Sequence, residues 1–257
     1  IKKMKKIHLI ISALFCTLLL NAQIATMEAY VIKEGMTEDY EALEKFVSPL
    51  KSMAIKEGKL QAWMVMKRKS GGNLQEIDPQ KKVADYLVFN IYKDEAQLEA
   101  DSWKAYPNYA YTHYKNKMSK KNIDNMMSNN PKESARTYVI ENIYQTPNYR
   151  PQVGDAINMA PMEALNEDYE QFELGFFMPI WSKIIDQGGL RMWGLARVKS
   201  SSDNAYKNLT HFVFQNPTGM EYTFEEPTFV EQKVQEMGMA SRKMYEMAEM
   251  EIIFLAN

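Results

Sequence analysis

Apolar and polar residues alternate through eight separate stretches of this chain, and the intervals between several of them carry a 3-to-4 residue period instead. Strict alternation marks half-buried strands over 60–67 and 84–92, joined through Ser70-Gly71-Gly72, and over 190–198 and 209–215, joined through Ser200-Ser201-Ser202. Each pair is preceded by an extended apolar stretch (26–33; 155–160) and followed by another (136–144; 249–255). Between the first and second stretches the apolar positions Tyr40, Leu43, Val47, Leu50 and Ala54 step by 3 and 4, the signature of a one-sided helix. Thr37 and Asn166 are the expected N-caps, with acidic residues following where they favour the helix dipole. Pro49 and Pro179 fall inside these helices and are expected to kink them.

The order is βαββαβ, twice. Residue identities repeat with it: Glu-Asp-Tyr-Glu occupies 38–41 and again 167–170, an offset of 129. Pro49-Leu50-x-Ser52 matches Pro179-Ile180-x-Ser182, and Gly58-x-Leu60-x-x-Trp63 matches Gly188-x-Leu190-x-x-Trp193, both at an offset of 130. The duplicated pattern resembles the dimeric α/β-barrel superfamily. The resemblance implies an α+β fold, two tandem ferredoxin-like units with their sheets face to face around a cavity. The resulting division is a signal peptide over 1–22, a first unit over 23–146, a linker over 147–152 (between Pro147 and Pro151) and a second unit over 153–257. Relatives of this architecture include antibiotic-biosynthesis-type and haem-degrading monooxygenases, chlorite-dismutase-like haem proteins and stress-response proteins, so the fold limits function only loosely.

The leader changes the charge picture. Lys2, Lys3, Lys5 and Lys6 precede an apolar run from Ile7 to Leu20 and the small-residue exit Asn21-Ala22-Gln23, the three-part pattern of a secretory signal. A run of fourteen residues is short of the roughly 20 that span a bilayer. The expected destination is therefore the periplasm or the outside of the cell, with no stable membrane anchor after cleavage. Cleavage would remove four of the 31 basic residues and the single cysteine, leaving 27 basic against 33 acidic. A chain of that balance has no basic stripe for nucleic acid and no thiol for nucleophilic or metal chemistry.

Alternate residues of a sheet must face away from its helices. The uniformly apolar set Leu60, Ala62, Met64 and Met66 suits the space under helices, as do Leu87, Phe89 and Ile91. The mixed set is then expected to line a shared cavity: Trp63, Trp193, Arg191, Tyr86, His211, Asn90, Gln215 and Glu28. Its aromatics serve equally as ligand contacts or as interface core. Arg191, if interior, needs an anion.

No HExxH, GxSxG, P-loop or GxGxxG pattern occurs, and no carboxylate–histidine cluster has metal-ligand spacing. Outside the leader the histidines are His113 and His211. His113, in the Tyr-rich stretch 109–114, is the candidate haem ligand that the resemblance offers; no cofactor is otherwise expected. His211, facing Trp193 near Arg191, is placed to move a proton near neutral pH. The expected function is binding of a small aromatic or anionic molecule between the two sheets. The alternatives are a cofactor-independent monooxygenase-like enzyme using His211 and Arg191, and a structural or partner-binding protein with a filled interior.

Overall fold

The computed structural model of the protein describes residues 23–257, and the leader expected over 1–22 lies outside the described residues. Every strand expected from alternation forms. The first half supplies β1 (Ile24–Ile32), β2 (Ala62–Gly71), β3 (Tyr86–Tyr92) and β4 (Lys132–Gln145). The second supplies β5 (Ala156–Ala164), β6 (Leu190–Ser201), β7 (His211–Pro217), a short β8 (Arg242–Met244) and β9 (Ala248–Ala256). In the first half α1 (Thr37–Lys56) crosses the sheet, and α2 (Glu95–Ala100), α3 (Tyr106–Tyr114) and α4 (Lys120–Ser128) fill the β3–β4 connection.

The corresponding helix of the second half, α5, is broken into Tyr169–Phe172, a π turn Glu173–Phe177 and Met178–Asp186. Pro49, at the matching position, stands inside the unbroken α1, so a proline alone does not break the helix; Pro179 sits in the first turn after the π segment. Its ring crowds the carbonyl one turn back, and the wide turn just before it, closed by Met178 N–H donating to Glu173 O, makes room. α6 (Phe229–Ala240) opens with the Thr228/Glu231 capping box. The caps expected at Thr37 and Asn166 shift by a residue or two. Met36, not Thr37, precedes α1 and gives no side-chain cap, and Asp168 precedes α5 while Asn166 accepts from the Asp168 N–H at 3.1 Å.

All strand pairings are antiparallel, and they close on themselves in the order β1-β3-β2-β9-β5-β7-β6-β4, with β4 pairing back to β1. β8 extends β9's edge of β5. The result is a closed eight-stranded barrel rather than two sheets stacked face to face. The halves meet edge to edge, β2 with β9 and β4 with β6, so the barrel strands leave no open edge.

The barrel corrects the expected facing of the side chains. Met66, Leu87 and Phe89 point into the barrel with Ala25, Met27, Ile140, Met159 and Met192, and Met64 and Ile91 pack against that same cluster. Trp63, Val65, Tyr86 and Val88 lie outside it beneath the first-half helices, and Trp193, Leu195 and Val213 beneath α5. The two tryptophans thus share an orientation but face away from the common interior. The reason is that both faces of this wall are buried. Alternation shows which residues share a face but not which face is the interior. The interior, walled by the closed ring of strands, takes Ala62, Met64 and Met66 with Leu87, Phe89 and Ile91, while Leu60, just before β2, packs with the helix layer as expected. The helix layer brings its own charges, Glu44 and Lys51, and so takes the mixed set.

Candidate functional site

A cavity of about 450 Å³ lies between the outer face of the first-half sheet and its helices. Strand pairing builds its floor. Thr26, Asn90 and Trp63 stand side by side across β1, β3 and β2, and Glu28 and Val88 form the adjoining pair. α1 forms one wall with Glu44, Val47 and Lys51, and Lys132 enters from the start of β4. Asp101 and Trp103, after α2, form the rim; Trp103 is 55% exposed and stacks on Tyr106 at 4.2 Å.

Lys51 is the centre of the polar network. Only 5% exposed, its Nζ donates to Asn90 Oδ1 at 2.7 Å and to Tyr106 OH at 3.0 Å. It also lies 4.5 Å from the Tyr106 ring centre and 5.2 Å from that of Trp103. The Asn90 amide donates onward to Thr26 Oγ1 at 3.0 Å and to Glu28 Oε1 at 3.4 Å. Tyr92 OH donates to Asp101 at 2.8 Å. Burial sets the ionisation of this cluster. It pulls the Lys51 ammonium down to about 8, against the attraction of Asp101, Glu28 and Glu44. It pushes Glu28 and Glu44 above the ordinary carboxylate range, opposed in each case by Lys132 and Lys51. Lys132, over the Tyr30 ring at 3.5 Å, is lowered by the same cause. Burial therefore loosens the amine's hold on its proton and tightens that of the two carboxyl groups, bringing the three nearer to one another within one cavity.

Three residues expected to share a cavity do so here: Trp63, Asn90 and Glu28. The others are elsewhere. Tyr86 lies in the core beneath α1, where its hydroxyl donates to Glu41 at 2.7 Å. Trp193 is its half's counterpart of Trp63, buried beside Tyr144, and among the described residues its indole N–H has no hydrogen-bond partner. Gln215, paired with Trp193, is half-buried. Arg191 is exposed at the start of β6, bonded to Asp155 at 2.5 Å and to Arg150 O at 3.4 Å. It cannot meet His211, because the antiparallel hairpin puts them at opposite ends: His211 is opposite Arg197, while Leu190, beside Arg191, is opposite Pro217.

His211 belongs to a different cluster. Its Nε2 lies 2.8 Å from Glu170 Oε1, and Arg197 grips both oxygens of Glu170 at 2.5 Å. The Arg197 guanidinium, foremost, and the imidazole pull Glu170 down to about 2, whereas burial lowers His211 despite Glu170. The first half has the same device: Glu41 accepts from Lys67 at 2.8 Å and from Tyr86 at 2.7 Å. Lys67 is opposite Tyr86 just as Arg197 is opposite His211, and Glu41 and Glu170 close the two Glu-Asp-Tyr-Glu repeats. The space beneath the second-half helices differs, however. There a groove of about 550 Å³ runs between α5 and residues 223–242, with Phe176, Phe177, Trp181 and Phe224 along it.

Lys51, Glu44, Lys132 and Tyr106 escaped the sequence reading. Glu44 and Lys51 did leave a signal: with Tyr40, Val47 and Ala54 they complete a 3–4 spaced stripe, so two charges lie on the face of α1 that must be buried. His113 does not line the cavity; its ring packs against Tyr114 and lies 3.2 Å from Lys117 Nζ. The cavity residues thus fail to supply the axial imidazole of the haem reading. Among the described residues no group of three or more His, Cys, Asp or Glu side chains is arranged to hold a metal ion.

A scan of protein-family models and a search of curated sequences gave no match. Solved structures do match. A Fusobacterium nucleatum protein described as a putative monooxygenase is 12% identical, with a TM-score of 0.53 over 93% of this chain and 96% of its own. A putative monooxygenase from Lactobacillus acidophilus is 12% identical at a TM-score of 0.52, covering 92% and 96%. An anthrone oxidase-like protein is 9% identical at 0.51, covering 92% and 93%. The likeness is one of fold.

Proposed function

We propose that this protein binds a small aromatic molecule carrying an acidic hydroxyl or carboxyl group in the first-half cavity, rather than between two sheets. One observation carries the reading: a buried ammonium, Lys51, faces an open volume between tryptophans instead of packing against an ion-pair partner. Trp63 and Trp103 offer flat apolar surface for a ring, and Lys51 with the Asn90 amide offers donors for its anionic edge. The chain's origin is read as two ferredoxin-like units fused in tandem, supported by the strand orders β4-β1-β3-β2 and β9-β5-β7-β6 and by the paired glutamate clusters. The basic and apolar leader supports export.

A second reading makes the site an oxygenase-like enzyme, as the descriptions of the fold neighbours invite. At a pKa of about 8 roughly a tenth of Lys51 is neutral near pH 7. A neutral amine there would take the proton of a phenol and leave the electron-rich phenolate on which oxygen chemistry starts. Salicylate and 4-hydroxybenzoate test binding. At a hundred times the dissociation constant they should raise the melting temperature by roughly 5–10 °C. Lys51→Met should abolish the rise. An equal rise in the variant, or none in the parent, overturns the assignment. Consumption of dioxygen with a phenol, lost in Lys51→Met, separates turnover from binding.

A further inference from the structure

The described residues do not fill the barrel interior. At one end Met27, Tyr138, Met159 and Phe212 pack closely and leave only about 50 Å³. Toward the other end about 360 Å³ stays open, reaching from the level of Met66 and Phe89 to a mouth formed by Gln23, Gln145 and Asn257. Small residues create the space: Ala25, Ala62, Gly194 and Ala196 face it from β1, β2 and β6. Their neighbours are the long thioethers Met64, Met66 and Met192, which adapt their shape to what they touch.

The chemistry of this lining is unlike that of the Lys51 cavity. Among the described residues none of the side chains lining it is charged, and its polar groups, Gln61, Asn142, Tyr144 and Tyr149, stand toward the open end. An ion entering here would lose its hydration and gain no counter-charge. A neutral ring would lose nothing. An apolar protein cavity near 150 Å³ stays dry and takes up benzene, so 360 Å³ accommodates a body of two rings. We infer that the barrel holds a second, separate binding site, for a neutral two-ring molecule that enters apolar end first and leaves a hydrogen-bonding group among the amides of the mouth. The wall between the two sites is one strand thick: Trp63 faces the charged cavity and Met64 the neutral one.

The probe for this site is 6-propionyl-2-dimethylaminonaphthalene, a neutral naphthalene whose emission moves to the blue in apolar surroundings. The full chain should bind it with one-to-one saturation and a blue shift. Ala62→Phe and Ala196→Phe, which place a ring in the cavity, should each weaken binding at least tenfold. Lys51→Met should leave it unchanged, and salicylate should not displace the probe, so this site and the charged one fail independently. In the unaltered chain carrying 13C-methyl methionine, the probe should shift the Met64, Met66 and Met192 resonances. No blue shift, displacement by salicylate, unmoved methionine signals, or full affinity in plugged variants with parental melting temperatures would overturn the inference.

Discussion

Lys51 shows how a single side chain carries both a cost and a use. Its ammonium is ordinarily half-titrated near 10.5 but near 8 in the fold. Between those values the unfolded chain binds more protons than the folded one, so this group makes stability rise with pH from 8 to 10.5. Below 8 both states are charged and the burial cost is present in full. Replacing Lys51 by Met removes that dependence. The variant's stability relative to the parent should fall by up to about 3 kcal/mol as pH rises through this window, read from urea midpoints. A constant difference would mean that Lys51 titrates as if in water. The residue was legible in hindsight only. Charges on a buried stripe are a visible anomaly, but the periodicity of Leu43, Val47 and Leu50 accounts for α1 without them.

At the scale of elements, alternation located the strands to within a few residues because every barrel strand has two unlike faces. It could not tell the interior from the helix layer, and the sign came out reversed for Trp63, Trp193, Tyr86 and His211. β8 gave no warning because three residues are too few to alternate. The Glu-Asp-Tyr-Glu repeats were visible as identity but not as mechanism. The last glutamate of each ties the start of a helix to two paired strands. Glu170→Gln weakens that tie by removing the charge while keeping the shape. Because Glu170 sits at about 2 against an ordinary 4.5, its contribution is complete above 4.5 and disappears as pH falls toward 2. The variant should therefore be less stable than the parent by about 1–2 kcal/mol at pH 7, the site being partly open to solvent, and should converge with it in acid. Chemical denaturation at pH 7 reads the full deficit, and at pH 3 a deficit already well reduced. A deficit that persists undiminished in acid would show that the carboxylate is not what holds α5 in place.

For the molecule as a whole, closure depends on both halves. Residues 23–146 alone would present β2 and β4 as bare edges, each the partner of a second-half strand here. That fragment should appear as a dimer that rebuilds an eight-stranded ring, or as aggregate, when its mass is measured by size exclusion with light scattering. A well-folded monomer would mean that the seams between halves contribute little. Which strands form these seams was not legible in the sequence, because each is set by pairing between residues far apart in the chain, from Gln145 with Gly194 to Trp63 with Ala256.

The seams join two stretches of one polypeptide, and this frees them from symmetry. In a ring assembled from two identical copies, any change to one chamber is written into both. Here a buried amine stands under one set of helices while phenylalanines and a tryptophan line the space under the other. A mutation that sharpens the first chamber for its guest leaves the second untouched, so the two can be tuned for different occupants without compromise.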